Sequence, residues 1–449
     1  MDDRTQHMLT APPVPLLVRM ATPNAMAFFI QSFVSLAEVW FVGQLGTVSL
    51  ASIALVFPLL MLTQMMSNGA MGGAITSSIA RSLGAGDAER ASRLAWHALT
   101  LAVAGAALFL VVFLLAGGPF LAFLGGEGEV LGRATTYCLM LFTGGVFLWL
   151  VGACSAIFRG MGNMKFPAML MIVSAVIQVP LSGTLVLGAF GAPQLGIVGA
   201  AVSAVASALV ISTIMLFSLT RPGQPVRLTR RTLVFSREDF RDIMKVALPA
   251  SLSPLLTVAN ILCLTAIVAG FGDQALAGYG IGSRIEFLLV PLVFGLGAAM
   301  TSLVGVSIGA GRVDRAERVG WTGSFMAAAL SGVVGILLAL FPNAWIPAFT
   351  DDPDTIAAAT RYIQVMGPFF ALQGLGLTLY FASQGAGAMA WPVIATIVRL
   401  VLAVGGALLL AHGLDMGLTG VFIAAAVAMV TYGLMIAGSL KLGAWRRQV

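Results

Sequence analysis

Charge is what this chain of 449 residues has least of. Asp, Glu, Lys and Arg make up 9% of it, against about 25% in an ordinary soluble domain. Hydrophobic residues reach 59%, and the mean hydropathy is +0.98. That balance excludes a soluble globular protein and implies an all-α integral membrane protein. The net charge of +6 is then a matter of topology, not of binding nucleic acid. Cysteine is also scarce. Cys138, Cys154 and Cys263 lie in apolar runs, so three thiols supply neither a disulfide framework nor a metal-ligand spacing. His97 and His412 stand near span ends with no second ligand close in sequence, and no metal or other cofactor is expected. The Gly-Ala-Gly turns at Gly84–Gly86 and Gly309–Gly311 precede no Lys-Ser/Thr pair. Without a Walker motif, direct ATP coupling is excluded. The start, "MDDRTQHMLTAPP", carries acids and is unlike a signal peptide, so the first span is expected to stay in the mature protein.

What the chain has is apolar length. About 20 apolar residues cross a bilayer as a helix, and twelve such runs can be counted, the first centred near Phe29 and the last near Val427. Of 24 Lys and Arg, 20 fall in the tails and even-numbered loops. The positive-inside rule therefore places both termini in the cytoplasm of a multi-pass inner-membrane protein. The halves repeat: "SLGAGDAERASRLAW" from Ser82 returns as "SIGAGRVDRAERVGW" from Ser307, and "RGMGNMKFP" from Arg159 as "QGAGAMAWP" from Gln384, both at an offset of 225. Six spans per repeat give parallel repeats, an arrangement typical of transporters. The expected architecture is twelve transmembrane helices in two six-helix bundles around a central cavity. Residues 1–220 form the N-terminal lobe, 221–244 a cytoplasmic linker with Ser236 as N-cap of a short surface helix, and 245–449 the C-terminal lobe.

Sixteen of the 18 acids lie in tails, loops or the linker; Glu38 and Glu286 remain inside spans. A charge there costs roughly 2.5–3.5 kcal/mol on insertion scales, so such acids are functional candidates. Asn24, Gln31, Ser35 and Glu38 are spaced 7, 4 and 3 and share a helical face. On the fifth span Ser174, Gln178 and Ser182 form a second polar stripe, interrupted by Pro180, which can free a carbonyl. Together they suggest a polar pocket. The plain alternative is a neutral Glu38 that donates one hydrogen bond for packing. Glu286 lies two residues from Arg284, about 200° around the helix, so these two do not share a face. Arg399 could reach Glu286 across the lobe, either as a structural ion pair or within a substrate site.

Twelve spans in two parallel repeats, "AEVWFVGQLG" on the first span, the two Gly-Ala-Gly loops, "FRGMGNMKFP" after the fourth span and "GYGIGSRIEFLLVPLVFGLGAAM" through the eighth together resemble the multidrug and toxic compound extrusion (MATE) family of cation-coupled antiporters. "RIEFL" with Arg284 and Glu286 resembles members of the DinF-like branch more closely. The resemblance implies that Glu38 stands where family members commonly carry the ion-binding Asp. It further implies that Gln178 and Ser182 replace their fifth-span Asn and Asp, with Ala204 and the adjacent Ser203 at the sixth-span Thr. A NorM-like C-lobe sodium site would need acids where Thr257 and Gln373 stand. A proton is therefore the expected coupling ion, with sodium the lesser alternative.

The resulting expectation is a secondary multidrug efflux antiporter, not an enzyme. It would be a monomer among membrane lipids, exporting amphipathic cations as protons enter. A lipid-linked oligosaccharide flippase would want a strongly cationic cavity, and the spans offer only Arg284 and Arg399. A membrane enzyme would want clustered His, Asp or Glu at a membrane face; Asp351, Asp352 and Asp354 lack a partner His.

Overall fold

The computed structural model describes residues 3–446; Asp2 and Arg447, which belong with the polar ends of the chain, lie outside the described residues. Every regular element among the described residues is helical. The order is α1 (Asp3–Thr10), α2 (Pro13–Gly43), α3 (Thr47–Gln64), a π-helix (Met65–Met71), α4 (Gly72–Gly84), α5 (Ala88–Phe123), α6 (Gly128–Thr143), α7 (Gly145–Gly160), α8 (Lys165–Leu187) and α9 (Ile197–Thr220). The second half follows with α10 (Arg237–Ala269), α11 (Asp273–Gly309), α12 (Val313–Leu340), α13 (Pro353–Met366), α14 (Phe370–Ala386), α15 (Ala390–Leu408) and α16 (Gly417–Lys441). Eleven of these helices or helix runs are long and apolar enough to cross a membrane, and α6 with α7, bent by 52°, makes a twelfth.

The repeat is written in hydrogen bonds as well as letters. Thr76 donates to the Ala156 carbonyl at 3.0 Å and Thr301 to that of Phe381 at 2.9 Å, partners again 225 apart. The Gly-Ala-Gly loops are helix terminators, not phosphate cradles. Gly86 and Gly311 take the left-handed conformation that a side chain resists, with φ of 82° and 71°. The next amides then close back onto Ser82 and Ser307, at 2.9 and 2.8 Å, which satisfies carbonyls the ended helices leave open. Asp87 starts α5 by accepting the Arg90 amide at 2.7 Å.

One residue breaks the register. The turns before α3 and α11 match at an offset of 226, with Gly46 and Gly272 at φ of 97° and 103°. By Gly72 and Gly297 the offset is 225. The N-terminal repeat thus carries one extra residue in its second span, and the π-helix Met65–Met71 lies between those points. A π turn takes in an added residue without rotating the later turns of the helix out of phase.

Contacts divide the chain into two compact units. Met26–Ala247 make up most of the N-terminal unit, and Gln6–Ala25 with the chain from Leu248 onward the C-terminal one. Both α2 and α10 therefore change unit part-way, close to the matched prolines Pro23 and Pro249. Residues 221–247, mostly the expected linker, belong to the N-terminal unit. Val226 and Leu228 are buried, the Arg227 amide bonds Ser92 at 3.1 Å, and Asp239 pairs with Arg90 at 3.0 Å and Arg93 at 3.2 Å. Ser236 does cap a helix, accepting from Glu238 at 3.2 Å. That helix is not a short surface piece, as expected from sequence, but the first turns of α10. In the C-terminal unit, Arg312 and Arg315 instead hold the carbonyls of Met8, Leu9 and Ala11 at the end of α1, where a cation suits the helix dipole.

Candidate functional site

Glu38 lies half-buried on α2, and its carboxylate accepts a hydrogen bond from Gln178 Nε2 at 2.7 Å. The approach of α8 to α2 depends on Gly183, where a methyl group would stand 2.8 Å from the Phe41 ring. Gln178 and Ser182 follow one another by a turn on α8, and both are buried. The Ser182 hydroxyl has no hydrogen-bond partner among the described residues. Buried Tyr137 on α6 stands within electrostatic reach of the Glu38 charge. Ser203 on α9 is fully buried and bonded within its own helix to the Ala200 carbonyl at 2.8 Å. Nearby, Ser174 and Ser207 join α8 to α9 at 2.7 Å. Pro180 does not interrupt α8, which runs on through it.

The rest of the α2 stripe does not converge on Glu38. Ser35 is exposed and donates to the Gln31 carbonyl at 3.2 Å. Asn24 shares the helical face but is 14 residues away, about 21 Å at 1.5 Å per residue, and falls in the portion of α2 that belongs to the C-terminal unit. Face periodicity says nothing about distance along the axis, so Asn24 leaves the pocket.

The C-terminal unit holds its acid differently. Glu286 on α11 accepts from the Tyr362 hydroxyl at 2.5 Å and from Gln373 Nε2 at 3.1 Å. Among the ion pairs of the described residues none joins it to Arg399, whose guanidinium lies 5.4 Å from the Tyr432 ring centre. Arg399 instead lines a small cavity with Leu256, Thr257, Asn260, Thr396 and Leu400. Arg284 is exposed and sits over Phe349 at 5.4 Å. Of the expected charged triad, Arg284 thus stands apart, Arg399 and Glu286 share Tyr279 and Tyr362 within electrostatic reach without pairing, and neutral donors make the hydrogen bonds to the carboxylate. Sequence reasoning had named Gln373 only as a missing acid and had not used Tyr362. The signal was present: Tyr137 and Tyr362 match at an offset of 225.

Two parallel six-span units, each with a single intramembrane acid met by neutral hydrogen-bond donors, define a membrane transporter scaffold. The family comparison agrees. The MatE family model matches residues 23–184 and again 249–409, once in each half, and the chain belongs to the MatE family. It is 26% identical over 432 residues to the probable multidrug resistance protein YoeA of Bacillus subtilis, covering 95% of this chain and 93% of that one. It is 25% identical over 384 residues to the probable multidrug resistance protein NorM of Thermotoga maritima, covering 86% and 82%. Among solved structures, a MOP superfamily transporter from Pyrococcus furiosus, described as having a binding pocket of reversed polarity, superposes with a TM-score of 0.91 at 25% identity over 99% of both chains.

Proposed function

We propose that the protein is a proton-coupled antiporter of amphipathic organic cations, working by alternating access, with Glu38 as the coupling carboxylate. The observation that carries this reading is the Glu38–Gln178 contact at 2.7 Å. A neutral amide steadies the carboxylate without neutralising it, so the charge stays available to a proton or to a cationic substrate in turn. One carboxylate does not hold two positive charges at once, so either ligand displaces the other. An inward proton brings about 2.3 kcal/mol per 100 mV of membrane potential. Sodium is disfavoured because the groups beside Glu38 are an amide and hydroxyls, with no second carboxylate. The basic ends of both units face the cytoplasm of a bacterial inner membrane, and the protein works as a monomer. The exposed position of Arg284, away from Glu286, gives no support to a pyrophosphate-binding flippase.

Proteoliposomes with a fluorescent organic cation test this reading. A pH gradient alone, in sodium-free buffer, should drive transport. Transport that needed sodium at every pH would overturn the coupling ion. Impermeant labelling of a linker cysteine in intact cells would overturn the orientation.

A further inference from the structure

The segment from Arg230 to Lys245 turns two of its three acids inward and its aromatics outward, the reverse of a solvated loop. Over the first turns of α10, Asp239, Ile243 and Val246 are buried on one face, while Arg237, Phe240 and Arg241 are exposed on the other. The helical spacings of 3 and 4 make each set a continuous stripe. Asp239 is taken up by Arg90 and Arg93, and Asp242 by Arg81 at 2.9 Å. Glu238 is then the only acid of the segment left facing outward, against exposed Arg230, Arg231, Arg237 and Arg241. Just before the helix, Leu233, Val234 and Phe235 are exposed in succession, Phe235 by 61%.

The depth of this surface can be fixed from α5. The Phe235 ring meets the His97 ring edge-on at 5.2 Å, and both the amide and the carbonyl of Ser236 lie 3.1 Å from His97 Nε2. Val103, exposed by 46% on the apolar stretch of α5, is six residues further on, about 9 Å along the axis. Phe235 is therefore held one headgroup depth from the apolar face of a membrane-spanning helix, with arginines on either side in sequence. At the end of the preceding span, Arg221 lies over the Phe217 ring at 4.7 Å, the pose of a cation drawn back along an apolar stem.

We infer that this exposed basic and apolar stripe, Arg230 to Arg241, is a docking surface for anionic phospholipid headgroups, with Leu233, Val234, Phe235 and Phe240 entering the interface below them. The partner follows from complementarity: four exposed guanidiniums match phosphate, and four exposed apolar side chains match the acyl boundary. A soluble protein partner would satisfy the first set without explaining the depth of the second. The surface stands apart from the coupling chemistry at Glu38.

The test places a nitroxide at position 235 through Phe235→Cys in a Cys263→Ser background; the other two cysteines are buried. The protein is reconstituted in phosphatidylcholine vesicles with or without phosphatidylglycerol. With phosphatidylglycerol present, collisions with oxygen should dominate over those with a water-soluble nickel chelate, and binding of phosphatidylglycerol should weaken roughly fivefold for each arginine removed. The combined change of Arg230, Arg231, Arg237 and Arg241 to Ala should return the label to water, and the same four changed to Lys should keep it at the interface. A label equally open to the nickel chelate in both lipids overturns the inference. So does a label at the interface in both lipids that ignores the arginines, since hydrophobic insertion alone would then be at work.

Discussion

Glu38 in the N-terminal unit and Leu264 in the C-terminal unit occupy matching places, one residue pair among four that tell the same story. The turn at Gly46 and Gly272 aligns Glu38 with Leu264. The matched prolines Pro167 and Pro392 align Gln178 with Ala403 and Ser182 with Ala407. Gly199 and Gly420, packed on Leu185 and Leu410, align Ser203 with Ala424. Leu264, Ala403, Ala407 and Ala424 are all buried in one apolar cluster. What is a polar cluster in one half is plain core in the other. The Thr76 and Thr301 framework bonds are kept in both halves, while the side chains at these four positions differ. The buried tyrosine is also kept, but in the second half it serves an acid that has moved to another helix: Tyr362 bonds Glu286 on α11. Two units built on matching helices need not hold charge in the same place: the N-terminal acid meets an amide on α8, the C-terminal one a tyrosine and an amide on α13 and α14.

The largest effect should come from forcing the two halves to agree. Leu264→Glu puts a carboxylate into the apolar cluster with no Gln opposite, and an uncompensated buried charge costs about 3–5 kcal/mol. The purified variant should unfold at much lower temperature or fail to accumulate. A normal melting temperature would mean that the site is not core. Next comes Tyr362→Phe, which removes a hydrogen bond to a carboxylate worth about 1.5–3 kcal/mol. Tyr137→Phe, which breaks no bond to Glu38, should cost less, and equal shifts in thermal unfolding would erase the distinction between the two tyrosines. The smallest effect lies at the helix starts. Asp352 caps α13 through the Thr355 hydroxyl at 2.6 Å and amide at 2.9 Å. These bonds hold its carboxyl below the usual range, whereas its counterpart Glu127 caps nothing with its side chain. A lowered folded pKa contributes stability above the unfolded value of about 4 and loses it as pH falls through the folded one. Melting curves of wild type and Asp352→Ala should therefore differ at neutral pH and converge in acid, while Glu127→Ala, which removes no cap, should change the neutral-pH melting temperature less.

Much of the fold was legible in the sequence because membranes are strict. Apolar run length and the basic asymmetry are imposed by the bilayer, the repeat shows in matched letters, and Glu38 stands out against that background. The partner of Glu38 was also legible, because Gln178 lies on a polar stripe. Other features were hidden for physical reasons. Arg399 drew Glu286 on paper because opposite charges attract, but a tyrosine hydroxyl and an amide reach the carboxylate without the cost of burying a second ion. Asn24 shared a face with Glu38 and was still two-thirds of a membrane thickness away. The added residue in the second span leaves no mark in composition; only the step in offset from 226 to 225 betrays it.

The central claim is that the proton carrier sits in the N-terminal unit, at Glu38. Its most direct test is proton release on adding a cationic drug to the purified protein in weakly buffered detergent solution. Wild type should release protons, Glu38→Gln should release none while keeping its fold, and Glu286→Gln should release as wild type does. Equal release from wild type and Glu38→Gln, with loss in Glu286→Gln, would contradict the account and move the carrier to the C-terminal unit.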